Sequence, residues 1–367
     1  MNIEKKNDYL LFFSFSLLII FGLLMLSSAS SPVGEARFGD SYFFIKRQLL
    51  FGVLPGIAFF IFFLHFNYHH LKSIASFIFF GTILLLLLVF IPGIGSTLST
   101  GARSWLVLPG TSLQPSEVAK LTLILFFSAF LTAKNKQLVT FYPGFTRALL
   151  LGLFPVGLVL IQPDVGTAAI LFAIMFGLLF MAETKPSHML LVALIGFVTL
   201  FVLIQVAPYR ASRLTIFLHP ELDPQGIGYQ VNQAKIAVAS GGLFGLGYQH
   251  SRQKFQYLPE VQADSIFAVI AEEMGFVVMF VFIALLLFIG KRGLQIAKQA
   301  PDLFGRFVAS GIIIWFMAQS FLNIGAIIGL LPLTGVPLPF VSHGGTALSI
   351  AMAAVGILMN IEKLSRI

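Results

Sequence analysis

Ten long apolar runs, separated by short polar stretches, leave this chain few ways to fold. They fall at roughly 9–31, 46–66, 73–91, 116–133, 148–162, 165–182, 187–208, 265–290, 306–331 and 343–361. A straight helix needs about 20 apolar residues to cross a bilayer, so the shorter runs imply tilt or imprecise ends. Only 10% of the 367 residues are charged and 57% are apolar, where soluble domains carry about 25% charged residues. Inside hydrocarbon the backbone must satisfy its own polar groups, which helices do within one segment. The expected fold class is an all-α polytopic membrane protein of about ten transmembrane helices. It would form a single integral membrane domain over 1–367, with a large outer loop at 209–264 between spans seven and eight.

An even number of spans puts both termini on one side. With the termini inside, the inner segments hold 13 Lys and Arg and the outer segments nine. Five of those nine lie in the long 209–264 segment, which the positive-inside rule discounts. Both termini are therefore expected to be cytoplasmic. The first run is followed by further spans and lacks a small-residue cleavage site, so it reads as a span rather than a removed signal peptide. The net charge of +8 is scattered over short loops instead of gathered on one face, so no nucleic-acid partner is expected. There is no cysteine, which excludes thiol chemistry and disulfides. No nucleotide-binding glycine loop, HExxH or GxSxG elbow is present. No internal repeat stands out, which argues against a transporter built from inverted repeats.

Ionisable residues are scarce, so each one at a span is informative. The segment Gln114-Pro115-Ser116-Glu117-Val118-Ala119-Lys120 opens the fourth span. Glu117 and Lys120, three apart, share a helix face. They are either a structural ion pair, with Ser116 or Gln114 capping the helix, or a substrate contact. Arg103 and Trp105 just upstream could hold phosphate and sugar, or simply anchor the interface. Pro163 breaks the chain between two spans, and Asp164 can cap the next helix. Asp264 ends the polar 209–264 segment where the eighth apolar run begins. It is either that helix's N-cap or a reactive carboxylate at the membrane edge. Glu272, two turns on, would lie near the same face as a deeper partner; alternatively Glu272 or Glu273 pairs with Lys120 or another span's polar group. Within 228–247 an amphipathic stretch reads as a short interfacial helix followed by a glycine turn. Arg210, Arg213, Lys235, Arg252 and Lys254 bring positive charge to this segment, suited to a pyrophosphate or to anionic headgroups. Ser342 is expected to cap the last span, and His343 beside it to titrate near neutral pH or to serve structurally.

Taken in order, these motifs resemble the SEDS family (shape, elongation, division and sporulation), the group that contains FtsW, RodA and SpoVE. The resemblance runs from about Ser28 to Gly345. It rests on the Gln114 to Lys120 motif, Gln162-Pro163-Asp164-Val165-Gly166-Thr167-Ala168, Gly228-Tyr229-Gln230, Ser240-Gly241-Gly242-Leu243-Phe244-Gly245 and Tyr257-Leu258-Pro259-Glu260. It further rests on Asp264 with Ile266-Phe267-Ala268, on Glu272-Glu273, and on Pro337-Leu338-Pro339-Phe340-Val341-Ser342. Two departures stand out. The family usually has His-Thr-Asp-Phe where this chain has Gln262-Ala263-Asp264-Ser265, and Ser-Tyr-Gly-Gly where it has Ser342-His343-Gly344-Gly345. Ser27 to Ser31, Tyr42 to Gln48 and Ser251 to Lys254 look more like the division type, whereas Gly335 to Phe340 is similar to the elongation type and also occurs among division types, so septal synthesis is the first expectation and lateral synthesis the second.

The resemblance implies a ten-span peptidoglycan glycosyltransferase in the bacterial cytoplasmic membrane, polymerising lipid II into β-1,4 glycan strands. It implies a class B penicillin-binding protein as transpeptidase partner, together with other division or elongation proteins and membrane lipid. Asp264 matches the family's essential outer aspartate and is the expected catalytic base. Arg103, Trp105, Gln114, Glu117, Lys120, Asp164, Arg210, Lys235 and Lys254 are the expected substrate-binding set. No cofactor is fixed; a divalent cation, Mg or Mn, would suit the pyrophosphate leaving group. Two other classes compete: a lipid II flippase using the buried ionisable residues as a polar path, and a non-catalytic division scaffold.

Overall fold

The computed structural model describes residues 9–97, 104–108, 111–134, 137–138, 140–206, 208–223, 225–255 and 257–366. It is an all-helical bundle with one small sheet. The helices are α1 (Tyr9–Phe38), α2 (Phe43–Gln48), α3 (Leu54–His65), α4 (His69–Leu88), α5 (Pro115–Lys134), α6 (Thr146–Ile161), α7 (Val165–Met181), α8 (Pro186–Val206), α9 (Pro208–Leu218), α10 (Ile227–Ser240), α11 (Ile266–Gln299), α12 (Leu303–Ile327) and α13 (Gly345–Leu364). A π-helical turn at Leu49–Val53 fuses α2 and α3 into one span.

Among the described residues, eight helices are long and apolar enough to cross a membrane, and α7 and the Pro186–Thr199 part of α8 are shorter apolar helices. Together they occupy the ten expected positions, with ends that move by several residues. The chain is a multi-pass membrane protein.

Three helices make the centre. The most apolar windows of α5, α12 and α13 are 72%, 72% and 78% buried, whereas those of the other long spans are 17% to 39% buried. The peripheral spans turn residues such as Phe77 and Phe197 outward, as lipid-facing helices can, because lipid is as apolar as their side chains. The central helices carry the buried polar residues Glu117, Lys120, Gln319 and Asn323. The sheet, β1 (Gly95–Ser96), β2 (Trp105–Leu108) and β3 (Thr111–Leu113), is an antiparallel meander. It rests on the start of α13, where the Thr346 hydroxyl donates to the Ser112 carbonyl at 3.3 Å.

The 209–264 segment between spans seven and eight carries the short helix and glycine turn expected within 228–247. It contains α9 and α10, and its glycine turn is not free. Helix α11 is interrupted at Gly275, whose φ of 73° and ψ of 178° are non-helical. The glycine turn fills the interruption with main-chain bonds. Leu246 and Gly247 donate to the carbonyls of Glu272 and Glu273, each at 2.9 Å, and Phe276 and Val277 donate back to Gly242 and Leu243 at 2.9 and 3.1 Å. The physical reason is close backbone approach. A Cβ on Gly275 would meet the Gly245 nitrogen, and a Cβ on Gly245 would meet the Glu273 carbonyl. Broken helices at membrane depth persist only where protein re-satisfies the freed groups, and here the turn does so. The break lies nine residues beyond Ile266, roughly 14 Å along the helix at 1.5 Å per residue.

Candidate active site at the start of α11

Asp264 sits on a tight turn, Glu260 to Ser265, that delivers the chain into α11. Ala263 and Ser265 both donate their N–H to the Glu260 carbonyl, at 2.9 and 3.3 Å. Glu260 has a φ of 49°, a left-handed conformation that a non-glycine residue holds only when its surroundings over-determine it. The cap reading of Asp264 does not hold: Ser265 is the N-cap residue of α11, and no side chain caps the helix. The carboxylate is thus left for other work. It lines a narrow crevice with Asn323, Leu333, Thr334, Gly335 and Val336.

The turn is braced from three sides. The Asn323 Nδ2 donates to the Asp264 carbonyl at 2.7 Å and to the Val336 carbonyl at 2.8 Å. The Ser342 hydroxyl donates to the Ala263 carbonyl at 2.6 Å and accepts from the Leu338 N–H at 2.8 Å. The His343 N–H donates to the Gln262 carbonyl at 2.8 Å. Ser342 therefore does not cap α13, as had been expected; Gly344 is the N-cap residue, and Ser342 bonds inward to the Asp264 turn instead. His343 packs edge-on against Phe44. Burial and the nearby Arg47 push its imidazole down to about 4, so it is neutral at physiological pH rather than poised to titrate there.

Burial is the main influence on the Asp264 carboxyl, and the like charge of Glu260 adds to it. Against them stand hydrogen bonding, including the Ser265 hydroxyl that donates at 3.4 Å, and the Arg213 charge. The balance pushes its proton affinity up to about 6, from 3.8 for a free aspartate. The Ser265 hydroxyl is in turn held by the Gln230 amide at 3.1 Å.

Beneath this turn lies the Glu117–Lys120 pair. The Lys120 Nζ donates to Glu117 Oε1 and to Gln319 Oε1, both at 2.8 Å, and lies 5.0 Å over the Trp315 ring. Gln319 also accepts from the Trp315 indole at 2.7 Å and donates to the Pro337 carbonyl at 2.8 Å. Lys120 is 0% and Glu117 2% exposed. Of the two expected readings the structure shows the structural ion pair, which ties α5 through Gln319 of α12 to the Pro337 segment. Ser116 and Gln114 do not share a side-chain cap: Gln114 accepts the Glu117 N–H at 3.1 Å through its main chain, and the Ser116 hydroxyl is buried without a partner.

Of the other expected residues, Asp164 caps α7, accepting the Thr167 N–H at 2.9 Å. The α7 start abuts the crevice wall, since a Cβ on Gly166 would touch Val336 and Thr334. Lys235 reaches the loop that follows α12, with its stem against Gly329. Trp105 is half-buried in β2, paired with Ser96. Arg210 lies on α9, and its side chain lies outside the description; Arg103 lies outside the described residues. Lys254 is a correction. It is 3% exposed and donates to Glu273 at 2.8 Å and to Ser28 at 3.0 Å, so it faces the protein and not a substrate. Of the two pairings expected for Glu272 or Glu273, Lys120 is not the partner, and another span's polar group is: the Ser28 hydroxyl of α1 donates to Glu273 at 2.7 Å. Glu272 instead takes the Ser251 hydroxyl at 2.5 Å and the N–H groups of Arg252 and Gln253 at 3.0 and 3.3 Å. The two glutamates therefore clamp the returning 251–254 segment against the broken helix.

Sequence reasoning missed Gln319 and Asn323. They lie one turn apart on α12, inside an otherwise apolar run, and that spacing was the available signal. Among the described residues no three His, Asp or Glu side chains converge as a metal cluster; Glu260 is the carboxylate whose charge acts on Asp264.

The FtsW/RodA/SpoVE family, described as cell cycle proteins, matches residues 8–367. Stage V sporulation protein E of Bacillus subtilis (strain 168) is 41% identical over 363 residues, covering 99% of each chain. The probable peptidoglycan glycosyltransferase FtsW of Geobacter sp. (strain M18) is 40% identical over 351 residues, covering 94% of each. A chain of a solved structure on polymerisation and crosslinking by a peptidoglycan synthase complex superposes with a TM-score of 0.79 at 27% identity, covering 98% of this chain and 99% of that one. A near end-to-end match at this identity, on the same helical frame, is family membership: this chain belongs to the FtsW/RodA/SpoVE family.

Proposed function

We propose that this protein is a peptidoglycan glycosyltransferase that polymerises lipid II, with Asp264 as general base. The observation that carries the reading is the Asp264 carboxyl itself. It is braced through its main chain, excluded from helix capping, and raised to about 6, where a base is both mostly ionised and effective near neutral pH. The relatives named probable peptidoglycan glycosyltransferase FtsW, which match along nearly the whole chain, support the same chemistry.

Asp264 takes the proton of the acceptor sugar's 4-hydroxyl as that oxygen attacks C1 of the donor sugar. The C1–oxygen bond to the diphosphate breaks, and the electron pair leaves with the polyprenyl diphosphate. An α-linked donor giving a β-1,4 product inverts once, so one base suffices and no glycosyl-enzyme forms. The carboxylate then passes its proton to water. A Mg or Mn ion would neutralise the diphosphate and would be held chiefly by substrate oxygens and water, because among the described residues no three His, Asp or Glu side chains converge.

The reaction is assigned to the outer face of the bacterial cytoplasmic membrane, with both termini cytoplasmic, on the Lys and Arg distribution. The partner is assigned as a class B penicillin-binding protein, since the similar synthase complex couples polymerisation to crosslinking. The role is assigned to septal synthesis, on the division-type motifs and the relatives named FtsW. Purified protein given lipid II in detergent, where flipping has no meaning, tests the reading. Glycan product supports it; none, in the presence of the partner, sinks it in favour of a flippase or a scaffold.

A further inference from the structure

Among the described side chains, the cations of the 209–264 segment divide between two places. Lys254 is neutralised by Glu273, and the Arg252 main chain is bound to Glu272. Arg213 and Lys235, from α9 and α10, both reach the loop Gly329–Gly335 that follows α12. The Arg213 Nη1 donates to the Leu333 carbonyl at 3.2 Å. The Lys235 stem crosses Gly329: its Cε stands where a Cβ would be, and its Nζ lies 2.9 Å from that position. Asp264 meets the far end of the same loop, with Oδ2 3.9 Å from the Cβ position of Gly335. One seven-residue loop therefore carries two cations at residues four apart and the carboxylate two residues further on.

We infer that Arg213 and Lys235 hold the departing diphosphate beside the Gly329–Gly335 loop, whose far end meets Asp264. The inference rests on the glycosyl-transfer reading above. Arginine suits the role because its planar fork binds phosphate oxygens in pairs, and lysine adds a second point charge. Arg213 meets the wall of the Asp264 crevice at Leu333, and Lys235 meets the start of the same loop at Gly329, so a diphosphate seated on them would have its sugar directed toward the carboxylate. The electrostatics agree. The Arg213 charge opposes burial and Glu260 at Asp264; a diphosphate on Arg213 would cancel that opposition, making Asp264 a stronger base as the donor seats.

Two probes test it: inorganic pyrophosphate, and a polyprenyl diphosphate in detergent micelles, each titrated into purified protein. Asp264→Asn is expected to bind the polyprenyl diphosphate at least as tightly as wild type, because it removes a negative charge coupled to the site. Arg213→Gln should weaken binding about tenfold or more, Lys235→Met should weaken it less, and Arg213→Lys should fall between wild type and Arg213→Gln. Phosphatidylglycerol at the same concentration should not displace the diphosphate. Unchanged binding in both Arg213→Gln and Lys235→Met overturns the site. So does equal displacement by phosphatidylglycerol, which would mark an anionic-headgroup contact. If Arg213→Gln does not fold, Lys235→Met and Arg213→Lys decide. If the site variants behave as expected while Asp264→Asn polymerises normally, only the assignment of Asp264 as base fails.

Discussion

Asn323 holds Asp264 by its main chain: the Asn323 amide donates to the Asp264 carbonyl at 2.7 Å and leaves the carboxylate to the crevice. The same amide donates to Val336 at 2.8 Å, so one side chain on α12 fixes both walls of the site.

Asn323→Leu removes both donors and leaves two carbonyls unpaired, a loss of about 1–3 kcal/mol for each buried group. The expected result is a folded protein whose lipid II polymerisation falls by about tenfold or more. Asn323→Asp should fare no better, because a carboxylate accepts and does not donate. Initial rates in detergent measure it, and a wild-type rate in Asn323→Leu would refute the bracing role.

The base must be ionised to work, and burial with Glu260 raises Asp264 to about 6 from 3.8. Activity should therefore fall as pH drops through about 6, and be restored as pH rises. Glu260→Gln removes a like charge, so its acid limb should move to lower pH. Profiles of kcat/KM against pH read both; a wild-type limb near 4 would contradict the assignment.

Gly275 breaks α11 with a φ of 73° and abuts the Gly245 nitrogen. Gly275→Ala adds a Cβ to both a left-handed backbone and a main-chain contact, strain of about 1–3 kcal/mol for the conformation alone. A melting temperature in detergent lowered by several degrees is the expected outcome. An unchanged melt would mean that the glycine turn does not seal the break.

Lys254 and Glu273 are paired at 2.8 Å with almost no exposure. Lys254→Met strands a buried carboxylate, a loss of about 3–5 kcal/mol for a broken buried pair. The double variant Lys254→Met with Glu273→Gln should recover part of that stability. Thermal melts of the three variants measure the cycle. A Lys254→Met protein as stable as wild type but weakened in lipid II binding would restore the substrate role expected from sequence.

The spans were legible because hydrocarbon demands long apolar helices, and that demand is written locally. The Glu117–Lys120 pair followed from helical spacing, and the Asp164 cap from the proline before it. Helix α10 was readable as an amphipathic stretch. Its connection to α11 was not, because the pairing joins Gly242 to Phe276 across more than thirty residues. The glycines at 241, 242, 245, 247 and 275 were the only local trace of it. Lys254 was misplaced for a related reason: charge in a polar segment reads as exposed until the carboxylate that folds against it is known. Gln319 and Asn323 were passed over because single amides in an apolar run carry no charge to mark them.

The most direct measurement is lipid II polymerisation by purified wild type and Asp264→Asn in detergent, with and without the transpeptidase partner. The substitution keeps the shape of the side chain and the Asn323 bond to the main chain, and removes only the proton acceptor. The account predicts a folded Asp264→Asn protein that still binds polyprenyl diphosphate and makes no glycan above background at any pH. Polymerisation at the wild-type rate would contradict it.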